Sequence, residues 1–289
     1  MNRTPRRERL RALLRGDRCI HPGSVFDAIS GRIAQDLGFE AGIFAGSVAS
    51  LTVLGAPDLT LITLSEFAAQ AHRICRACDL PLIVDADHGY GNALNVRRTV
   101  EELENAGVAA LTIEDTLLPA SFGAASGAAL ISIEEGAGKM RAALDARRDP
   151  ELAIIGRTSA VALTGLEDAI ARARAYEAAG VDALFILGLK ARDELETIAA
   201  AVRLPIFLGS AGPSLMDLDF LSARGVRVCL QGHQPFLAAV RAVHETLKAL
   251  REGTAPTQIP GIASAELMQR VTRNEDYRRS TREFLGTRD

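Results

Sequence analysis

Apolar residues along this chain gather into eight short runs, separated by longer stretches in which apolar and polar positions recur with helical spacing. The runs fall at 20–25, 41–46, 82–85, 110–114, 153–157, 183–187, 206–209 and 227–232. They lack the polar alternation of a half-exposed strand, which is the mark of parallel strands covered on both faces. Helical spacing predicts helices at 28–37, 65–78, 95–106, 133–146, 166–179, 192–201, 214–223 and 235–250. Gly38, Gly107, Gly180 and Gly225 each end a helical stretch just before a strand, where glycine takes the left-handed stop. Leu80-Pro81 and Leu204-Pro205 open two further strands. Eight strand–helix units predict an α/β fold, a (β/α)8 TIM barrel.

Two segments fall outside the repeat. The stretch 116–131, after the fourth strand, is rich in Ala, Gly and Ser and reads as an active-site lid. Beyond Arg251, after Pro256 and Pro260, come polar helical patterns at 264–271 and 274–284 that a barrel does not require. The expected division is therefore a barrel with an N-terminal helix over 1–252 and a helical extension over 253–289, a tail that packs on a neighbouring subunit. At the N-terminus the arginines of 1–18 suggest a transit peptide, yet Glu8 and the spacing of Leu10, Leu13 and Leu14 predict a short amphipathic helix of the fold itself.

Composition narrows the classes. The 289 residues are 48% hydrophobic, enough for one large core. The 36 acidic and 33 basic side chains leave a net charge of −3 with no concentrated basic face, which argues against nucleic acid. No uninterrupted apolar stretch reaches the length of a membrane span, so a soluble cytoplasmic protein is expected. Reduced thiols are expected of Cys19, Cys75, Cys78 and Cys229. His72, Cys75 and Cys78 sit at metal-ligand spacing on one expected helix face, but no second pair completes a zinc site, and helix packing is the favoured reading.

In a barrel, polar residues at the carboxyl ends of strands are candidates for the site. The ends supply Ser24 and Asp27, Ser47, Asp85 and Asp87, Glu114 and Asp115, Arg157, and His233. Asp85 and Asp87 project the same way from a strand, so two negative charges converge unless a cation or proton separates them. A hard ion such as Mg²⁺ suits them, held by Asp85 foremost, with Asp87 and Glu114 acting directly or through water. Arg157, within an apolar run, needs an anionic partner and suits a substrate carboxylate or phosphate. The competing reading makes Asp87 and Glu114 helix caps. His88 orients a carboxylate or does chemistry, and His233 caps a helix or is catalytic.

Several segments carry a family resemblance. They are Ser24-Val25-Phe26-Asp27, Ala45-Gly46-Ser47-Val48-Ala49-Ser50, Ala56-Pro57-Asp58, Asp85-Ala86-Asp87-His88-Gly89-Tyr90-Gly91-Asn92, Ile113-Glu114-Asp115, Arg157-Thr158 and Gly232-His233. On these the chain resembles the isocitrate lyase and phosphoenolpyruvate mutase superfamily over nearly its whole length, and within it the oxaloacetate decarboxylases. The resemblance implies Mg²⁺, or Mn²⁺, held by Asp85 with Asp87 and Glu114 around it. It implies Gly46, Ser47, Arg157 and His233 at the substrate, and Arg157, His233 and Asp58 in catalysis. It also implies homotetramers that exchange C-terminal helices.

Departures from the pattern bear on the reaction. The carbon–carbon lyases of the superfamily carry Lys-Lys-Cys-Gly-His in the loop after the fourth strand, whereas 116–131 holds no Cys, His or Lys. The decarboxylases carry a tyrosine after the seventh strand, where this chain has Gly209-Ser210-Ala211-Gly212, and tend to have asparagine where it has Ser159. The leading expectation is Mg²⁺-dependent decarboxylation of oxaloacetate, or a related 3-carboxy-2-oxo acid, to pyruvate and CO₂ by way of an enolate. Its rivals are a phosphonate or phosphoenolpyruvate-type lyase, hydrolase or mutase on the same scaffold, a Schiff-base aldolase using Lys190, and a barrel that binds an α-oxo acid without turning it over.

Overall fold

A computed structural model describes residues 4–120, 122–123, 127–209 and 212–286. The chain forms two compact units, 1–234 and 235–289. In the first, α1 (Thr4–Arg15) precedes β1 (Gly23–Ser24), α2 (Ala28–Asp36), β2 (Gly42–Phe44), α3 (Gly46–Ala49) and α4 (Leu64–Ala77). Next come β3 (Leu82–Asp85), α5 (Ala93–Ala106), β4 (Ala110–Glu114), α6 (Ile133–Ala146), β5 (Ala153–Thr158), α7 (Ala160–Leu163) and α8 (Leu166–Ala179). The unit ends with β6 (Ala183–Ile186), α9 (Arg192–Ala201), β7 (Ile206–Leu208), α10 (Leu218–Ala223) and β8 (Val226–Cys229). The second unit is built from α11 (Gln234–Arg251), α12 (Ala265–Val271) and α13 (Asn274–Leu285).

All eight strands run parallel in sequence order. The ring closes where Ile20 pairs with Val228: the Ile20 N–H donates to the Arg227 carbonyl and the Cys229 N–H to that of Ile20, both at 2.9 Å. Period-two alternation then sorts the strand residues into two layers. Ile43, Ile83, Ala110, Ile155, Phe185, Phe207 and Val228 fill the barrel interior, joined by Leu10 and Leu14 of α1. Phe44, Val84, Leu111, Ile154, Leu184 and Ile206 face outward onto Phe67, Leu103, Met140 and Tyr176 of the surrounding helices. The expected N-terminal helix thus belongs to the fold. Its buried Arg7 donates to the carbonyls of Val108 and Glu104 at 2.9 and 2.8 Å and pairs with Asp149 at 2.5 Å.

The structure revises several local expectations. The segment 214–223 is a 3₁₀ turn followed by α10, because Asp217 caps a new helix start by accepting from the N–H groups of Asp219 and Phe220. After β2 the chain does not simply loop: α3 continues into a π-helical turn, Ser50–Leu54. The stretch 116–131 has a paired stem. Thr116 bridges Leu130 in antiparallel fashion, and the Leu117 N–H donates to the Ala129 carbonyl at 2.8 Å. Residues 121 and 124–126 of that stretch lie outside the described set. His72 is exposed whereas Cys75 and Cys78 are buried, so the three do not share a face, and the Cys78 thiol donates to the Ile74 carbonyl. Among the described residues no helix is long and apolar enough to cross a membrane.

Candidate active site

Strand register brings the polar residues together before any side chain is considered. Asp85 stands beside Thr112, Glu114 beside Arg157, and Arg157 beside Phe185. A cavity of about 280 Å³ opens at these carboxyl ends. Its polar wall comes from the β2 to β5 side: Ser47, Asp58, Thr60, Asp85, Asp87, Glu114 and Arg157. Its apolar wall comes from β6 to β8, with Phe185, Leu187, Gly209 and Leu230, and Leu118 joins them from the stem after β4. His233 completes the rim after β8. A larger cavity, about 560 Å³, lies at the amino ends of β1 to β3 against α1, away from the strand carboxyl ends, and its charged lining is Arg9, Asp17, Arg18, Glu40 and Asp79.

Arg157 is the hub. Its guanidinium pairs with Asp85 and, at 3.0 Å, with Glu114, and its carbon lies 5.5 Å from the centre of the Phe185 ring. The paired carboxylates hold its charge and push its pKa further up against the cost of burial. Its Nε is buried with no hydrogen-bond partner. Asp85 also accepts from the Thr112 hydroxyl at 2.9 Å, and Thr112 was not among the residues expected at the site. The signal was available in β4, where period two puts Thr112 and Glu114 on one face.

Asp87 reaches the cavity by a different route from the one its spacing implied. The strand stops at Asp85, and Asp87 sits in the left-handed region with φ +46°. Its carboxylate lies against Gly46, where an added Cβ would stand 2.5 Å from Oδ1. Glycine is required there by close approach. Burial, then the charges of Asp85 and Glu114, raise Asp87 well above the ordinary carboxylate range. Burial pushes Glu114 up to about 7 although Arg157 opposes it. Asp58 is raised as well, by burial and then by Asp85.

Four carboxylates around one guanidinium form a hard-oxygen donor set that lacks positive charge, and a divalent cation would relieve it. Among the described residues no three His, Cys, Asp or Glu side chains already converge as a cage. Asp85 and Glu114 are turned onto Arg157 instead. That arrangement suits an ion with few direct protein ligands that keeps part of its water, as Mg²⁺ does.

Not every expected site residue lines the cavity. Asp27 is the N-cap of α2, accepting from the Ser30 N–H at 2.7 Å. Asp115 is fully buried, with Arg172 at 3.0 Å and the Tyr176 hydroxyl at 2.7 Å on its Oδ2. Arg172 also donates to the Ile131 carbonyl, so this group anchors the stem of 116–131. His88 is buried, its Nδ1 has no partner among the described residues, and burial, then the charge of Lys139, lowers its pKa to about 4. Lys190 is exposed and does not line the cavity. Ser210 and Ala211, in the segment that departs from the decarboxylase pattern, lie outside the described residues. His233 binds Ser24 Oγ through Nδ1 at 2.9 Å, and burial lowers its pKa, with Asp85 opposing. With the Ser24 hydroxyl donating, the ring proton resides on Nε2.

Fold and cavity together define a (β/α)8 barrel with an acidic, arginine-centred site at the strand carboxyl ends. The family model described as phosphoenolpyruvate phosphomutase matches residues 10–251, and the chain belongs to that family. An oxaloacetate decarboxylase of a Bradyrhizobium species is 63% identical over 280 residues, 97% of each chain. One from Rhodopseudomonas palustris is 61% identical over 281 residues, again 97% of each. Among solved structures, phosphonopyruvate hydrolase in complex with oxalate and Mg²⁺ is similar with TM-score 0.87 and 29% identity, covering 97% of this chain and 99% of that one. Oxaloacetate acetylhydrolase with 3,3-difluorooxaloacetate follows with TM-score 0.85 and 28% identity, covering 99% and 98%.

Proposed function

We propose that the chain is a carboxy-lyase that converts oxaloacetate to pyruvate and CO₂ with Mg²⁺, or Mn²⁺, held by Asp85, Asp87 and Glu114. The observation that carries this reading is the division of one cavity into a charged wall and an apolar wall. A divalent ion held there would supply positive charge where negative charge develops on the substrate, worth several kcal/mol. Ser47 and Arg157, both in the cavity wall, orient the C1 carboxylate. Gly46 keeps room for Asp87 beneath them.

The C4 carboxylate then faces Phe185, Leu187 and Leu230. Breaking the C3–C4 bond leaves the electron pair on the substrate, moving toward the ketone oxygen, and releases neutral CO₂. An apolar wall disfavours the anion and tolerates the neutral product. Carbon 3 must finally gain a proton. Burial disfavours the charged form of His233 and its Nδ1 is engaged by Ser24 Oγ, so its role is to order the water that delivers this proton. Asp58, at the same rim and raised toward its protonated form, stands ready to relay protons.

Oxaloacetate decarboxylases at more than 60% identity favour this chemistry over the phosphonate alternatives. A homotetramer exchanging C-terminal helices is the assembly we assign. It is supported by the exposed stripe Leu237, Val240, Val243 and Leu247 along α11. The four cysteines are free and buried, in keeping with a reducing cytoplasm. Incubating the purified protein with oxaloacetate and, separately, with phosphonopyruvate tests the substrate. Pyruvate from the first alone is expected; release of phosphate or phosphoenolpyruvate from the second, with oxaloacetate inert, overturns the assignment.

A further inference from the structure

The turn between β3 and α5 is gripped at three successive carbonyls. Asp87 O accepts from the Glu114 N–H at 2.8 Å, His88 O from Lys139 Nζ at 3.0 Å, and Gly89 O from the Thr99 hydroxyl at 3.0 Å. The grip answers a conformational demand. Asp87, Gly89, Tyr90 and Gly91 all have positive φ, +46°, +77°, +60° and +145°. Two of these residues are not glycine, and such strain persists only where the surroundings over-determine it.

Of the three donors, only Lys139 is charged. It comes from α6 and is 3% exposed, so a flexible cation has been taken out of water to hold one backbone carbonyl. Burying an ammonium is costly unless its interactions repay it. Glu114, Asp115 and Glu135 lie near enough to oppose the loss of its charge. Lys139 shares the inward stripe of α6 with Gly136, Met140 and Ala143, where an apolar side chain would pack at lower cost. A packing role alone does not explain this residue.

We infer that Lys139 is a positioning residue for the metal-binding carboxylates. Its ammonium fixes the His88 carbonyl, and through that one-residue link it holds Asp87 under Gly46 and in line with Asp85 and Glu114. The inference rests on the metal reading given above. Charge and position make opposite predictions here. Deleting a nearby positive charge tightens the binding of a cation, whereas freeing the turn weakens it.

Calorimetric titration with Mg²⁺ and Mn²⁺, without substrate, decides between them for wild type, Lys139→Met and Lys139→Arg. We expect the Met variant to bind roughly 10- to 100-fold more weakly, as outer-shell substitutions do, and the Arg variant to recover most of the affinity. Equal or tighter binding by the Met variant overturns the inference while leaving the metal site standing. A wild type that binds neither ion removes the metal reading, and this inference with it. If Lys139→Met does not fold, Lys139→Gln is titrated against the same two outcomes.

Discussion

Arg157 touches three neighbours with two kinds of force: ion pairs to Asp85 and Glu114 and a cation–π contact with Phe185. Lysine keeps the charge but not the planar fork. Arg157→Lys should therefore lower kcat/KM for oxaloacetate by roughly 10²-fold, as misplacement by about an ångström does, with the fold intact by circular dichroism. The carboxylates predict a pH dependence with a definite sign. A carboxyl whose folded-state pKa lies above its unfolded value favours folding at low pH and loses that contribution as pH rises through the folded value. For Glu114 the window runs from about 4.5 to about 7, and Asp87 adds in the same direction. Metal-free protein should lose thermal stability across that window, and Mg²⁺ should restore it most at the upper end. Scanning calorimetry with Mg²⁺ and with EDTA checks both, and a flat Tm would contradict the charge crowding described here. The catalytic-looking residues were legible because an acid or arginine in an apolar strand has few structural uses. Asp115 was misread because its burial against Arg172 and Tyr176 depends on α8, which strand position alone does not convey.

At the scale of elements, α6 and α8 approach closely because Gly136 leaves no Cβ against the Tyr176 hydroxyl, which an added Cβ would meet at 2.5 Å. Tyr176 uses that hydroxyl on Asp115, whose Oδ1 already lacks a partner. Tyr176→Phe should cost about 1–3 kcal/mol in urea unfolding, the penalty for a buried acceptor left short of a donor, with KM little changed. A large rise in KM would mean that the Arg172–Asp115 anchor also fixes the stem residue Leu118 in the cavity wall. Strand and helix order were readable from periodicity, since short runs without alternation, bounded by Gly or Pro and spaced by helical stretches, suit strands buried on both faces. The stem of 116–131 and the π-helical turn at Ser50–Leu54 were not. Both arise from pairings and crowding between segments that leave no local hydrophobic period.

For the molecule as a whole, apolar residues decide both what is closed and what is left open. The barrel interior is sealed from below by Leu10 and Leu14, yet α11 carries no buried residue and shows an apolar stripe. Val243→Asp, in the middle of that stripe, should dissociate the proposed tetramer in light scattering; an unchanged mass would exclude this face from the assembly. The central claim is that the acidic wall serves decarboxylation through a divalent ion. Its most direct test is pyruvate release from oxaloacetate by wild type and by Asp85→Ala, each with Mg²⁺ and with EDTA, after subtraction of the ion's own slow reaction. The account predicts a rate that EDTA abolishes and that Asp85→Ala reduces to background. A wild-type rate no greater than that of Mg²⁺ alone, or an Asp85→Ala rate equal to wild type, would contradict it.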